Sequence, residues 1–470
     1  MPRPPSPRER MPRISICINT QTPLVQFPGG GARNSLDPLS AESVELARLT
    51  EGHDYRFSPG GVTRMVYPLI RRLIKDRVLA DAHWVSLNPN APPTVEMGKI
   101  TLHNVRIAPE RLAGYSKVKE AIWSRVHDLE PPQSHDDLFW TEAFAEYHYY
   151  NRVTAELIRE LDGRYDFDAF YVHDFQQMPV GHMLGSLKPK LFRWHIPFDV
   201  LQIPEEWRSA LTTYLDAYDA IVVSAQSYAD SIAALHSKAR VVQMYPFLDP
   251  EDYDRPSRAK VADVSARFGL RPKDDVMLLV GRMDPIKGQD LAIRAFAPLA
   301  SKYPSAKLVL VGNGSFSGSS AGLGLSKSAA WRQQLEAIVR EEQLDGRVVF
   351  TGHVSQDELD VLYERCRFSM LPSVREGFGL VAVESWLHGK PTIVTKRAGV
   401  AEMLKDGVHA LLFDPDRPEL LKDQMERLLG PRSGPLRARL ARNGRTVGEK
   451  CSVDVAVIGE RELLEEVTGP

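Results

Sequence analysis

The sequence predicts an α/β protein made of two doubly wound domains with parallel sheets. Short apolar strands alternate with amphipathic helices in two successive blocks, and 470 residues are too many for one hydrophobic core. We expect a first domain over residues 13–245 and a second over residues 261–453. The stretch between them, residues 246–260, is rich in proline and charge, which is typical of an interdomain linker.

The two ends of the chain carry separate signals. Residues 1–12 are rich in proline and arginine and lack the apolar core of a secretory signal, so we expect a disordered tail there. A helix is predicted over residues 454–470. This helix could pack on the first domain although it follows the second in sequence.

The composition excludes several classes of protein. A formal net charge of −2 gives no general attraction for nucleic acid, so no nucleic-acid partner is expected. Cys17, Cys366 and Cys451 are scattered, which indicates buried thiols in a reducing compartment. No apolar run approaches the roughly 20 residues that a membrane helix needs. We therefore expect a cytoplasmic protein.

Polar residues follow successive strands of the first domain. His173 and Asp174 end one predicted strand, and Arg193 and His195 end the next. Because ligands of open α/β sheets bind beyond the carboxyl ends of the strands, these side chains are expected to face one crevice. A lone histidine at a strand end is usually structural, but two histidines with an arginine favour a ligand site.

Two features of the first domain bear on partners. The helix after Gly60 and Gly61 is basic, and a solvated face explains this better than membrane docking does. The glycine pair itself is either a plain turn or a backbone that lets a phosphate approach the helix. The aromatic-rich helices over residues 111–161 are more typical of a core or a homodimer interface than of a ligand site.

The second domain contains two loops that combine charge with glycine. Gly281, Arg282 and Lys287 directly follow a buried strand, and two cations there can neutralise a diphosphate. An exposed charged loop is the alternative. Further along, Glu376 lies in a glycine-bearing turn and Glu384 in the helix that follows, whose N-terminus suits anionic or hydroxyl-rich ligands.

Motifs for common cofactors are missing. Gly312 and Gly314 follow a strand, but Ser317 occupies the third glycine position of G-x-G-x-x-G, so a dinucleotide site is not indicated. The phosphate-loop motif and H-E-x-x-H are absent, and no cluster has metal-ligand spacing. We expect neither a metal nor another cofactor.

Two segments together carry a family resemblance. GRMDPIKGQDLAIRAF and EGFGLVAVESWLHGKP closely resemble the retaining GT-B glycosyltransferases that use nucleotide sugars (glycosyltransferase family 4 type), and SPGGV and YVHDFQ add further landmarks. HDFQQMP, FRWHIP and the aromatic helices are most similar to the trehalose-synthesising members, which join glucose from a sugar nucleotide to free glucose. The resemblance implies two Rossmann-like domains that face each other across a cleft.

The resemblance also implies a catalytic role for four residues. Arg282 and Lys287 would hold the departing diphosphate, and His173 would touch hydroxyls of the donor sugar. Glu376 would bind and orient that sugar. A nucleophilic role for Glu376 is not expected, because the accepted mechanism of the family is same-face attack with the leaving phosphate taking the acceptor's proton.

The remaining residues implied by the resemblance contact the donor or the acceptor. Glu384 would bind the ribose hydroxyls. The acceptor side would be lined by Asp174, Arg193 and His195. The other donor contacts would be Gly60, Gly61, Gly281, Gly312, Gly377, Phe378, Gly379 and Leu380. Two departures are a Gly/Ser-rich insertion over residues 315–330 and Ser385, which stands where the family usually has alanine.

The resulting hypothesis is a hexosyltransferase that makes trehalose, or a close small glycoside, from UDP-, ADP- or GDP-glucose. Three alternatives stay open. They are a retaining glycoside (trehalose) phosphorylase, transfer to another small, lipid or polysaccharide acceptor, and a non-catalytic sugar-nucleotide binder.

Overall fold

The computed structural model describes residues 14–27, 42–58, 61–128, 137–185, 188–253, 255–312 and 323–469, with the backbone alone for residues 323–328. The chain divides into two compact units. Unit 1 comprises Met1–Met244 and Val453–Pro470, and unit 2 comprises Tyr245–Ser452. The expected tail, Gly60 and much of the Gly/Ser-rich insertion lie outside the described residues. Both units are α/β with largely parallel sheets, which confirms the predicted fold class.

Unit 1 is built on a nine-stranded sheet. Its strands and the separate pair β2–β4 are β1 (Ile14–Thr20), β2 (Val25–Gln26), β3 (Ser43–Glu45), β4 (Arg56–Phe57), β5 (Leu79–Leu87), β6 (Thr94–Met97), β7 (Ile100–Val105), β8 (Ala169–His173), β9 (Lys190–Arg193), β10 (Ala220–Val223) and β11 (Arg240–Gln243). The strand order is β11-β10-β9-β8-β1-β5-β7-β6-β3, and only β6 and β7 pair antiparallel within it.

Helices cover this sheet and bury apolar side chains against it. They are α1 (Gly61–Lys75), α2 (Pro109–Val126), α3 (Glu142–Tyr165), α4 (Val180–Leu184), α5 (Glu205–Leu215), α6 (Gln226–Ala233) and, from the end of the chain, α14 (Val453–Thr468). The aromatic stretch supplies core residues such as Tyr147 and Tyr150, both fully buried, although Trp140 remains 87% exposed. An aromatic core therefore fixes α2 and α3 against the strands that end at His173 and Arg193.

Unit 2 contains a six-stranded parallel sheet in the order β14-β13-β12-β15-β16-β17. Its elements are α7 (Arg258–Arg267), β12 (Asp275–Val280), α8 (Gln289–Ala300), β13 (Ala306–Val311), α9 (Leu323–Glu341), β14 (Val348–Gly352), α10 (Gln356–Arg365), β15 (Cys366–Leu371), α11 (Leu380–Leu387), β16 (Thr392–Thr395), β17 (Leu411–Phe413), α12 (Pro418–Leu429) and α13 (Gly434–Gly448). The strands are buried on both faces, as parallel strands between two helix layers must be.

The segments next to the unit boundaries have defined packing. The stretch expected as a linker lies in unit 2, where the Leu248 N–H donates to the Cys451 carbonyl at 3.0 Å. The C-terminal helix α14 lies in unit 1, where Asp454 pairs with Arg72 of α1. Part of the positive charge of α1 is thus neutralised within the unit.

A cluster of three buried hydroxyls ties α11 to the sheet of unit 2. The Ser369 hydroxyl lies 2.6 Å from that of Ser385 and 3.2 Å from that of Thr392, and Ser385 and Thr392 are 3.0 Å apart. Ser385 is the residue that departs from the family's usual alanine. Each hydroxyl satisfies another in a site without water access, so the substitution adds a specific link between α11, β15 and β16.

The cysteines and helices bear on two further expectations. All three cysteines are buried free thiols, as predicted, and burial raises the pKa of Cys366 and of Cys451 to about 12. Within the described residues, no helix has both the length and the sustained hydropathy of a membrane span.

Unit 1 contains a buried histidine pair that should make it acid-sensitive. His83 Nδ1 lies 2.9 Å from His103 Nε2, and burial lowers the pKa of His103 to about 3. Because that folded-state pKa lies below the unfolded value of about 6.5, the unfolded chain binds more protons at acid pH. The stabilisation is therefore complete above pH 6.5 and is lost as the pH falls toward 3.

We predict that His103→Leu reduces the acid sensitivity of unfolding. By pH 5 the protonation of His103 in the unfolded chain removes about 2 kcal/mol from the free energy of unfolding of wild-type protein, and the variant lacks this loss. Urea unfolding at pH 8 and pH 5 measures the difference. His53→Leu, at a side chain that is 84% exposed, is the control and should behave as wild type. Equal acid losses in wild type and His103→Leu would contradict the prediction.

Candidate functional site

The loop between β12 and α8 carries Arg282 and Lys287 on a fixed backbone. The Asp284 carboxylate accepts a hydrogen bond from the Ile286 N–H at 3.1 Å and so begins a short 3₁₀ turn. The Gln289 side chain donates to the Arg282 carbonyl at 2.6 Å. The backbone of the loop that carries both cations is therefore fixed by local hydrogen bonds.

Lys287 forms an ion pair with Glu376. Lys287 Nζ lies 2.7 Å from Glu376 Oε2, and the two side chains are 19% and 16% exposed. The Ser373 hydroxyl donates to the same carboxylate oxygen at 3.0 Å, and the Val374 N–H donates to the Ile286 carbonyl at 2.8 Å. The structure thus brings these two predicted catalytic residues together at the carboxyl ends of β12 and β15, through both side chains and backbone.

The turn before α11 requires glycine at position 379. Its φ is +106°, and a Cβ there would lie 2.6 Å from the Leu371 side chain. Phe378 is 4% exposed, and its carbonyl accepts from the Val400 N–H at 2.9 Å. The ring of Phe378 therefore belongs to the core, while the Gly379 turn leads into the first turn of α11, where the Ala382 N–H donates to the Gly379 carbonyl at 2.9 Å and the N–H groups before it precede any helical acceptor.

Gly281 and Gly312 meet at the carboxyl ends of β12 and β13. A Cβ at Gly312, which has a φ of +136°, would lie 2.0 Å from the Gly281 carbonyl oxygen. The Gly281 N–H donates to the Val311 carbonyl at 2.9 Å. These predicted donor contacts are adjacent backbone, and a side chain at Gly312 would force them apart.

Glu384 is held by tyrosines that sequence reasoning missed. The Tyr363 hydroxyl donates to Glu384 Oε2 at 3.1 Å, and the Tyr253 hydroxyl lies 3.5 Å from Oε1. Burial, followed by the charge of Glu384, raises the pKa of Tyr363 well above its usual value, so the phenol stays a donor. Tyr363 lies on α10, 21 positions before Glu384, and no spacing signal connects the two residues.

In unit 1, His173 and His195 share a hydrogen bond. His173 Nδ1 lies 3.1 Å from His195 Nε2. Burial, and then neighbouring positive charge, lowers the pKa of both histidines well below the usual range, so both are neutral at physiological pH. His173 Nε2 is buried and has no hydrogen-bond partner among the described residues. Because a buried polar atom without a partner is costly, this nitrogen is a candidate for contact with a ligand.

Asp174 has an unusual backbone and an unusual pKa. Its φ of 71° is rare for a residue other than glycine, and its N–H donates to the Arg193 carbonyl at 2.7 Å. Burial raises the pKa of Asp174 to about 7, although the Phe175 and His195 N–H groups oppose the shift. The carboxyl group is therefore able to exchange a proton near neutral pH.

Arg193 is oriented into unit 1. Its side chain is 3% exposed and pairs with Glu460 of α14, and Nη2 lies 3.4 Å from the Met244 carbonyl. Glu460 was not identified from the sequence as a partner of Arg193. The available signal was the position of a carboxylate among the apolar residues on one face of the last helix. The assignment of Arg193 to an acceptor stays a prediction, and the contacts of its guanidinium are internal.

Two further expectations concern glycine and metal. Gly61 begins α1 and is exposed, whereas Gly60 lies outside the described residues. No set of three or more His, Cys, Asp or Glu side chains could hold a metal ion within the part of the chain that the structure describes.

Each unit contains a segment that matches a known protein family. Residues 262–447 match the family described as glycosyl transferases group 1, and residues 139–230 match the trehalose synthase N-terminal domain. D-inositol 3-phosphate glycosyltransferase of Mycobacterium sp. (strain KMS) is 29% identical over 202 residues, 43% of this chain and 42% of that protein. The chain thus spans less than half the length of that curated relative.

Two solved structures share the fold over almost the whole chain. The UDP-forming alpha,alpha-trehalose-phosphate synthase of Burkholderia xenovorans, in complex with glucose-6-phosphate, has a TM-score of 0.73 at 16% identity, covering 96% of this chain and 100% of that one. Sucrose-phosphate synthase of Thermosynechococcus elongatus has a TM-score of 0.68 at 18% identity, covering 97% and 99%. The chain therefore has the GT-B fold, and its residues 262–447 and 139–230 are similar to glycosyl transferases group 1 and to the trehalose synthase N-terminal domain, respectively.

Proposed function

We propose that the protein is a retaining hexosyltransferase that moves a glucosyl group from a nucleotide sugar to a small uncharged sugar, with glucose as acceptor and trehalose as product. The observation that carries the proposal is the 2.7 Å pair between Lys287 and Glu376 beside Arg282, at the carboxyl ends of the parallel strands of unit 2. The match of residues 139–230 to the trehalose synthase N-terminal domain supports the product.

Unit 2 offers the groups that a nucleoside diphosphate sugar needs. Arg282 and Lys287 supply positive charge for the diphosphate, and the N–H groups at the start of α11 favour anions or hydroxyls. Glu376 accepts hydrogen bonds from sugar hydroxyls while it keeps Lys287 in place. Glu384, fixed by Tyr363, is suited to accept hydrogen bonds from the ribose.

The proposed chemistry uses these fixed charges where charge develops. The bond between the sugar carbon and the phosphate oxygen breaks, and a bond from that carbon to the acceptor oxygen forms on the same face. The acceptor's proton passes to the departing phosphate oxygen. Cations that meet the leaving diphosphate stabilise the transition state more than the ground state, which raises the rate. Glu376 does not act as a nucleophile in this proposal, because its carboxylate is engaged with Lys287 and Ser373.

The charge balance of the predicted acceptor residues favours an uncharged acceptor. His195 is neutral, the positive charge of Arg193 is compensated by Glu460, and Asp174, whose pKa burial raises to about 7, adds no positive charge. This set of side chains therefore offers little attraction to a phosphate group. Glucose is preferred in the proposal to glucose-6-phosphate, the ligand in the Burkholderia xenovorans structure. A homodimer and a cytoplasmic location stay predictions from the sequence.

The first prediction from this proposed function concerns the substrates. Incubation with UDP-, ADP- or GDP-glucose and free glucose should yield the non-reducing disaccharide trehalose, with α configuration retained at the transferred carbon. We expect kcat/KM for glucose to exceed that for glucose-6-phosphate by at least about tenfold, since a buried uncompensated phosphate is costly. Chelation with EDTA should leave the rate unchanged. Product analysis by NMR provides the measurement.

Three outcomes would contradict this substrate prediction in different ways. A preference for glucose-6-phosphate would overturn the uncharged acceptor. Phosphate-dependent cleavage of trehalose without nucleotide would identify a phosphorylase. Absence of any disaccharide with every donor would reject the transferase itself.

The second prediction concerns Lys287. Lys287→Ala should lower kcat by roughly 10²–10³-fold, because the leaving diphosphate loses a fixed charge, whereas the affinity for the nucleotide sugar should fall much less. Steady-state kinetics and calorimetric binding of UDP-glucose separate the two effects. Lys302→Ala, which removes a side chain that is 62% exposed and paired with Glu426 in the same unit, is the control. An unchanged kcat in Lys287→Ala would remove the support for the proposed role.

A further inference from the structure

The C-terminal helix α14 places a carboxylate inside unit 1. Its buried residues follow the spacing of one helix face and are Val453, Val457, Glu460, Leu463 and Leu464. Glu460 is 1% exposed, in the middle of this otherwise apolar stripe. A buried carboxylate is costly unless it is paired and hydrogen-bonded, so its partners must come from the elements beneath it.

Both partners of Glu460 lie on the strands that end in the predicted site. Arg193 of β9 forms the ion pair, and the Tyr171 hydroxyl of β8 donates to Oε1 at 3.3 Å and to Oε2 at 3.2 Å. The second guanidinium nitrogen of Arg193 lies 3.4 Å from the Met244 carbonyl. The carboxylate therefore fixes one side chain on each of two neighbouring strands.

These side chains also touch the histidine pair. Tyr171 and His173 are two residues apart on β8 and so share a face, and their ring centroids lie 4.4 Å apart with 30° between the planes. Arg193 is the cross-strand neighbour of His173, and His195 follows two residues later. A continuous chain of contacts leads from Glu460 through Tyr171 and Arg193 to His173 and His195.

We propose that Glu460 is a positioning residue for His173. Together, Tyr171, His173, Arg193, His195 and Glu460 form what we name the Glu460 cluster. Within it, Glu460 holds Tyr171 against the ring of His173 and holds Arg193 away from the acceptor. Arg193 thereby acts in positioning and does not contact the acceptor. The inference rests on the proposed function, because it assigns the purpose of the cluster to glycosyl transfer.

The physical reason is that a neutral histidine has two tautomers and two ring orientations. His173 Nε2 has no hydrogen-bond partner among the described residues. The tautomer and the ring orientation together decide whether a donor, an acceptor or a carbon atom occupies that position. The hydrogen bond with His195 couples the tautomers of the two rings, because one ring must donate and the other accept, and the stacked ring of Tyr171 restrains the ring plane of His173. Loss of the Glu460 charge leaves Arg193 buried without its counter-ion, so Arg193 and Tyr171 must rearrange around His173.

The experiment compares Glu460→Gln with Glu466→Gln in the full-length protein. Both glutamates lie on α14 and pair with an arginine of unit 1, but the pair of Glu466 with Arg240 is 57% and 51% exposed. We expect Glu460→Gln to lower kcat at least tenfold with less than a threefold change in the KM for UDP-glucose. Hydrolysis of the donor by water should fall in parallel, because His173 serves the donor. Glu466→Gln should match wild type.

A double variant separates positioning from simple stabilisation. Arg193→Met combined with Glu460→Met replaces the buried pair by apolar side chains, a change that often preserves stability. We expect the double variant to recover the thermal midpoint of wild type while kcat stays low. Recovery of full kcat would show a merely structural role and overturn the inference. A tenfold or larger rise in the acceptor KM, with donor hydrolysis unchanged, would instead assign Arg193 to the acceptor and also overturn it.

A spectroscopic readout keeps the test independent of turnover. Ring ¹⁵N shifts of His173, assigned with a His173→Gln variant, report its tautomer without any substrate. We expect one dominant tautomer in wild type and in Glu466→Gln, and a changed tautomer distribution in Glu460→Gln. Identical His173 signals in wild type and Glu460→Gln would overturn the inference even if the protein proved inactive with every donor, a result that by itself would reject only the proposed function.

Discussion

The ion pair between Lys287 and Glu376 is the interaction on which the arrangement of the two candidate donor loops of unit 2 depends. It joins the loops after β12 and β15, and the backbone bond from Val374 to Ile286 joins the same two loops again. Because the side chains are only 19% and 16% exposed, solvent screens the pair less than it screens a surface pair. Each charge therefore fixes the orientation of the other side chain.

Charge is handled differently in the predicted site of unit 1. There the histidines are neutral because they are buried, and the single guanidinium of the set is compensated by Glu460. A buried ion pair of this kind contributes little net stability compared with apolar residues, since desolvation consumes most of the attraction. Its value must lie in orientation. Tyr171 contacts both Glu460 and the ring of His173, so His173 is the side chain whose orientation the pair affects.

The sequence sufficed for the fold class and for the position of the motif residues in loops directly after strands, whereas the roles of those residues stay predictions. Arg282, Lys287, Glu376 and the glycine turn were identifiable because each depends on a strand end and the loop directly after it, which local periodicity reveals. The pairing of Lys287 with Glu376 was not predictable from the sequence, because it depends on β12 and β15 being neighbours in the sheet. Local signals report the ends of strands but not which strands are neighbours.

Residues that support the motif side chains were beyond the reach of sequence reasoning for the same physical reason. Tyr363 reaches Glu384 from a different helix, and Glu460 reaches Arg193 across 267 positions of chain. A polar residue in an apolar helix stripe is a signal that a partner exists, but the identity of the partner follows only from the packing of the helix. The expectation that Arg193 lines the acceptor came from the family resemblance and stays a prediction, because a position at a strand end fixes where the backbone stops and leaves open where a long side chain points.

The contrast between the two sets of residues is itself an argument about chemistry. A nucleotide sugar carries its charge in the diphosphate, and the motif cations of unit 2 are suited to that charge as it grows during departure. A sugar acceptor is neutral and is recognised through hydroxyl groups, for which neutral imidazoles and a carboxyl group with a pKa of about 7 are suitable partners. A phosphate on the acceptor would need a cation to bind it. Arg193 is the one permanent cation in the predicted acceptor set, and its charge is already compensated by Glu460. The internal pairing of that cation is thus the feature of unit 1 that most strongly favours an uncharged substrate.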